Sequence, residues 1–278
     1  MRSCVSPITS SGRAAASLTT LLTSDGVPIA AEHRPAAGYA AEVGSPWAIV
    51  VAHGFTGALE RPAVRRAAEV FSRFGGVVTF SFRGHGASGG HSTVGDLEVL
   101  DLAAAVGWAR ALGYPQVAAV GFSMGGSVVL RYAAGADGPV GAVAAPGVDA
   151  VVSVSSPARW YYRGTPPMRR VHWAVTRPTG RLVSRFGFGT RIRAADWDPV
   201  PRSPVESVPL IAPTPLLIVH GDQDPYFPLD HPHSLAAAAG ADGAELWIER
   251  GFGHAENAAD AALLRRIGGW LTGGVAAS

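Results

Sequence analysis

The chain contains no lysine: all 23 basic residues among its 278 are arginine. They face 21 acids, so the formal net charge is only +2, and the pI near 9.0 reflects arginine's high pKa more than a basic surface. Global charge therefore gives no reason to expect nucleic-acid binding. With alanine and glycine so abundant, the missing lysine points to a compositional bias and carries no functional weight. Cysteine is nearly absent too. The single Cys4 excludes an intramolecular disulfide and a cysteine-based structural metal site. No run approaches the roughly 18 apolar residues of a membrane span, and the first residues lack the apolar core of a secretory signal. The expectation is a cytoplasmic protein without stable membrane insertion. No P-loop occurs, and no G-x-G-x-x-G opens a helix after the first strand, so no nucleotide cofactor is expected. His231-Pro232-His233 is followed by no third ligand at metal spacing, so no metal is expected either.

What the chain does have is apolar patterning: 47% of its residues are hydrophobic and 16% charged, a balance typical of a compact fold. "SLTTLLTSDGVPIAAEHRP" reads as two strands around Ser24-Asp25-Gly26, an antiparallel hairpin. "WAIVVAHGF", "GVVTFSF", "QVAAVGF", "DAVVSVS", "PLLIVHGD" and "AELWIERG" are short apolar runs of the kind buried on both sheet faces. Helical stretches such as "RPAVRRAAEVFSRFGG" and "VGDLEVLDLAAAVGWARALG" separate several of them. Alternating strands and helices predict an α/β domain: a mostly parallel central sheet with helices on both faces and an N-terminal antiparallel hairpin.

The alternation breaks once. Residues 158–207 hold ten arginines against three acids, a formal +7 that leaves −5 for the rest of the chain, with aromatics and prolines interspersed. So long a connection inside a compact domain is usually functional or has structure of its own. The expected organisation is a flexible tail over 1–17, a core formed by 18–157 and 208–278, and a small inserted cap over 158–207.

Chemistry enters at "AAVGFSMGGSVVL", where Ser123 stands between Gly121 and Gly125 after a strand and before a helix. This is the G-x-S-x-G nucleophile elbow in its expected context: the serine sits on a strained turn, and side chains at the flanking glycines would collide with their surroundings. A serine hydroxyl needs a base, and the base an orienting acid. The ends of later strands supply candidates: Asp222 and Asp224 in "HGDQDPYFP", and His254 in "GFGHAE".

On these residues the chain resembles the α/β-hydrolase-fold serine hydrolases, in particular the esterase/lipase and dienelactone-hydrolase-like group, over about residues 18–157 and 208–278. The resemblance implies the α/β-hydrolase fold with a variable cap. It places the acid of an H-G-x-x-D turn on Asp224, with Asp222 as fallback, and the catalytic histidine on His254. It makes "HGFTG" the oxyanion loop, its donors the backbone N–H groups of Phe55 and Met124. "FRGHGASGG" resembles the family's R-G-H-G-x-S loop, except that Ser81 stands where an acid is common two residues before the arginine. The implied activity is hydrolysis of a carboxylic ester of small to medium acyl size through an acyl-enzyme. The same triad also serves thioesterases, amidases, peptidases and acyltransferases, and a non-catalytic binding module on this fold is a further alternative.

Other polar residues read more plainly. His53 is expected to brace the oxyanion loop, and Arg83 and His85 to hold loops together at the edge of the site. His91, His231 and His233 are expected to be solvated loop residues, and Asp96 and Asp101 to suit a helix N-terminus. For the arginine-rich insert three readings stand: a solvated surface, an anion-selecting lid, or a patch that meets acidic lipid or an acidic carrier protein.

Overall fold

A computed structural model describes residues 16–135, 147–240 and 243–273; Cys4 and most of the expected tail lie outside them. One eight-stranded sheet organises the chain: β1 (Ser17–Leu22), β2 (Pro28–Arg34), β3 (Trp47–Ala52), β4 (Gly76–Phe80), β5 (Gln116–Phe122), β6 (Ala150–Val154), β7 (Leu216–Gly221) and β8 (Glu245–Glu249). Their order is β1-β2-β4-β3-β5-β6-β7-β8. The β1–β2 and β2–β4 pairs are antiparallel, and every other pair is parallel.

Period-2 alternation explains how uninterrupted apolar strands fill two cores at once. In β3, Ala48, Val50 and Ala52 join one buried cluster while Ile49 and Val51 join the other. β7 divides likewise, with Leu216 and Ile218 on one side and Leu217 and Val219 on the other. The first face is covered by α3 (Glu98–Ala111), α4 (Met124–Ala133) and α8 (Asp230–Ala238), the second by α2 (Pro62–Phe71) and α10 (Ala261–Leu271). The short helices α1 (Tyr39–Glu42), α7 (Pro204–Ser207) and α9 (Ala255–Ala258) lie in the connections. Local chemistry starts these helices where they begin. Pro62 opens α2, and the Asp260 carboxylate accepts the Leu263 N–H at 2.8 Å to cap α10.

Between β6 and β7 the chain forms α5 (Pro166–Thr176) and α6 (Pro178–Gly187), each entered through a proline that fixes the first helical φ. The insert is pinned to the core by specific bonds. Trp197 Nε1–H donates to Thr93 O (2.6 Å), Thr165 Oγ–H to Tyr226 O (2.9 Å), and Arg159 pairs with Asp230 at 2.5 Å.

One expectation about a polar residue changes. His231 is not a solvated loop residue. It lies fully buried in the first turn of α8, its Nδ1 accepting the Ala158 N–H at 2.9 Å and its ring edge-on to Tyr162. The start of α8 is packed under the insert, which removes this turn from water. Asp101 lies in the first turn of α3, where an acid suits the dipole as expected, and it has a further partner. Arg83, 2% exposed, donates to it from its backbone N–H (2.8 Å), Nε (2.9 Å) and a terminal nitrogen (2.7 Å), and grips Asp25 with its other arm at 2.8 Å. Arg83 thereby ties the loop after β4 to α3 and to the β1–β2 turn.

Candidate active site

The parallel strands of this sheet end together, and three of those ends meet. After β5 the backbone turns sharply into α4, leaving Ser123 at φ 51° and ψ −113°. Its neighbours show why glycine is needed on either side. A Cβ on Gly121 would lie 2.2 Å from Gly125 O, and one on Gly125 would lie 2.2 Å from Ala52 O. Both are backbone atoms that cannot step aside. The Ser123 N–H is held by Val154 O at 2.8 Å, so β6 fixes the elbow as well.

Beyond β8, His254 reaches Ser123 Oγ with Nε2 at 2.9 Å and Asp224 Oδ2 with Nδ1 at 2.7 Å. A carboxylate facing Nδ1 keeps the ring proton on that nitrogen, which leaves Nε2 free to accept from the serine hydroxyl. Asp224 comes from the turn after β7 and has no side-chain exposure. Its other oxygen, Oδ1, accepts the N–H groups of Tyr226 (2.8 Å) and Phe227 (3.1 Å), so the carboxylate cannot rotate. Asp222 plays a different part, accepting the Gly251 N–H at 2.6 Å and closing the turn after β8.

The loop after β3 faces Ser123 from the opposite side. Among the described residues nothing accepts the N–H of Phe55 or of Met124, and both residues border the cavity at Ser123. His53 is fully buried between this loop and the next strand end. Its Nδ1–H donates to Gly54 O (2.7 Å) and its Nε2 accepts the Phe82 N–H (3.0 Å). Burial, with His85 close by, lowers its pKa to about 3. A histidine neutral when folded and basic when unfolded stabilises the fold above its unfolded pKa near 6.5. That stabilisation is lost as pH falls toward 3. Chemical denaturation of the wild type and His53→Asn should give stability curves whose slopes differ by about 1.4 kcal/mol per pH unit in this window. Parallel curves would contradict the neutral assignment.

Sequence reasoning missed two neighbours of the Ser123, His254 and Asp224 side chains. Tyr226 stacks on the His254 ring at 4.3 Å and 29°. Glu256 is 5% exposed and accepts the Gly54 N–H at 2.9 Å through Oε1, bracing the loop before Phe55. Burial pushes its carboxyl above the ordinary range, against the pull of the Gly54 bond and the charges of His254 and Arg66. The signal available was its place two residues after the histidine in "GHAE". The substitution at Ser81 proves harmless to the adjoining loop. Its Oγ accepts the Leu59 N–H at 3.0 Å, and its carbonyl accepts from Ser88 Oγ at 2.5 Å. His85 is buried, with Nδ1 on Arg83 O at 3.0 Å, so like Arg83 it serves the loop and not the cavity.

Above Ser123 opens a cavity of about 660 Å³, walled by core loops and by the 158–207 segment. Trp160 and Trp197, packed edge to face at 5.1 Å, form part of its side. Val171, Val175 and Phe188 bring α5 and the end of α6 to it.

A family model described as the alpha/beta hydrolase fold matches residues 48–167, the stretch from β3 through the turn at Ser123 into α5. The chain has the α/β-hydrolase fold. Solved α/β hydrolases superpose along nearly its whole length. The Pyrococcus furiosus esterase Pf2001 is 22% identical, with 92% of each chain covered and a TM-score of 0.66. The esterase domain of a Rhodothermus marinus protein is 18% identical, with 95% and 98% covered and a TM-score of 0.63. XC6422 from Xanthomonas campestris, an α/β serine hydrolase without a lid, is 21% identical, with 94% and 93% covered and a TM-score of 0.58. Among curated proteins none matches the sequence significantly.

Proposed function

We propose that this α/β hydrolase cleaves a carboxylic ester of small to medium acyl size through a covalent acyl-enzyme. The observation that carries the reading is the unbroken chain from Ser123 Oγ through His254 to Asp224, at 2.9 and 2.7 Å, beneath a cavity large enough for an acyl substrate. His254 Nε2 takes the serine proton as Oγ attacks the carbonyl carbon. Asp224 holds the imidazole tautomer and stabilises the imidazolium. The Phe55 and Met124 N–H groups receive the oxyanion, each donor contributing about 3 kcal/mol to barrier lowering. His254 then returns the proton to the leaving alkoxide, the alcohol departs, and water attacks the acyl-serine by the reverse route. The 158–207 segment acts as a cap that closes one side of the acyl site. Esterases among the structural relatives support the choice of ester over other acyl substrates.

A fluorophosphonate probe followed by peptide mass spectrometry tests the nucleophile, and p-nitrophenyl esters from acetate to laurate test the acyl range. The expected result is a single adduct on the peptide containing Ser123, with hydrolysis strongest for short and medium chains. An unlabelled Ser123 together with no turnover of any ester would overturn the reading.

A further inference from the structure

Residues 158–195 contain nine arginines and no acid. The same stretch carries the densest set of exposed large apolar side chains: Trp173 (45%), Leu182 (55%), Val183 (48%), Phe186 (78%) and Phe188 (52%). Such a cluster is unusual on a surface that has only water to face. The geometry explains why it is not core. α5 buries no residue, and α6 buries only Gly180 and Ser184, so the two helices pack chiefly on each other and stand out from the body. Leu182 and Phe186 lie on the side of α6 away from its two buried positions, with Val183 on the flank. In the same hairpin Arg169, Arg170, Arg177 and Arg185 are exposed, Arg170 also bordering the cavity, and the Arg185 guanidinium lies 5.5 Å from the Phe186 ring centroid.

We propose that the α5–α6 hairpin docks the protein peripherally on an anionic phospholipid surface, its apolar side chains entering the headgroup–acyl boundary while the arginines meet lipid phosphates. Exposed Trp, Phe and Leu beside arginine is the pattern of an interfacial helix. The occupant follows from charge and shape. A second copy would bring two arginine-rich faces together. A folded protein partner would have to offer a groove to a protruding ridge, which a fluid bilayer accommodates by deforming. Among the described residues no helix is long and apolar enough to cross a membrane, so the contact is one of surface, not span. The chain outside 158–195, at a formal −7, is held off the anionic surface, so the same charge segregation orients the molecule.

Co-sedimentation with vesicles of phosphatidylglycerol and phosphatidylcholine, against phosphatidylcholine alone, tests this without reference to catalysis. Wild-type protein should pellet with the anionic vesicles and lose binding in high salt. Leu182→Ser/Phe186→Ser and Arg177→Gln/Arg185→Gln should each weaken binding about tenfold or more. Both pairs are exposed, so the fold tolerates them. Protein that stays in the supernatant with anionic vesicles overturns the proposal, as does equal binding by wild type and both variants. A dimer seen by light scattering that Leu182→Ser/Phe186→Ser dissolves, without vesicle binding, assigns the face to a second copy instead.

Discussion

Asp224→Asn is expected to lower kcat for an activated ester by about four orders of magnitude while leaving the fold intact. The size follows from how the carboxylate is held. Oδ1 accepts two backbone N–H groups, from Tyr226 and Phe227, so an asparagine must place its oxygen there and turn its amide nitrogen toward His254. That nitrogen only donates. It forces the imidazole proton from Nδ1 to Nε2, where it meets the Ser123 hydroxyl that Nε2 should accept from. Ser123→Ala and His254→Ala each remove a reacting group outright and should cost about a million-fold, with the double variant scarcely worse than either single one. Steady-state kinetics on one p-nitrophenyl ester, with circular dichroism on each variant, checks the set. An Asp224→Asn enzyme within tenfold of wild type would show that the carboxylate does not orient His254. A collapse in Asp222→Asn instead would move the acid to Asp222, at the start of the same turn after β7.

The largest loss of stability away from the triad should come from Asp101→Ala. Arg83 is almost entirely shielded from water, and Asp101 is its buried partner, receiving three of its hydrogen bonds. Removing one side of a buried pair strands the other charge, at a cost of about 3–5 kcal/mol. Asp25 keeps one arm of the guanidinium, so the lower end of that range is expected. Asp25→Asn gives the contrast. Its carboxylate is about one-third exposed, at 36%, and its contribution is partly screened, so the change should cost about 1 kcal/mol or less. Urea denaturation of the two variants beside wild type measures the difference. Equal losses would mean that the loop after β4 does not depend on the buried half of this cluster.

Where chemistry coincided with local pattern, the residues announced themselves. Gly121-Phe122-Ser123-Met124-Gly125 follows an apolar run and precedes a helix, so strand, turn and candidate nucleophile share one window. Asp224 and His254 each follow a run of strand character, and the β-sheet order that brings them to Ser123 is the one that parallel alternation implies. What stayed hidden depends on contacts between windows. His231 looked like a loop histidine because its burial is created by the insert, and the bond it accepts comes from Ala158, 73 residues away. Glu256 drew no reading at all, because its partner Gly54 is 202 residues distant. Asp101 matched a helix-terminus rule and obeyed a stronger one, the need of a buried arginine for an anion. The paired helices of the insert were obscured by their own composition: prolines and arginines suggest irregular chain, and α5 has no buried stripe to reveal its period.

Ser123 and His254 are separated by 131 residues, and the hydrogen bond between them spans β6, the arginine-rich insert, β7 and β8. A chain emerging from the ribosome therefore carries its serine long before it has anything to take the proton. Through that interval the strained turn can form while remaining chemically inert, because a bare hydroxyl near neutral pH is a poor nucleophile. On the proposed mechanism, reactivity switches on only when the last strand has joined the sheet edge. Esterolysis would thus serve as a clock for the final docking step, where the bulk of helix and sheet signal reports only the earlier ones.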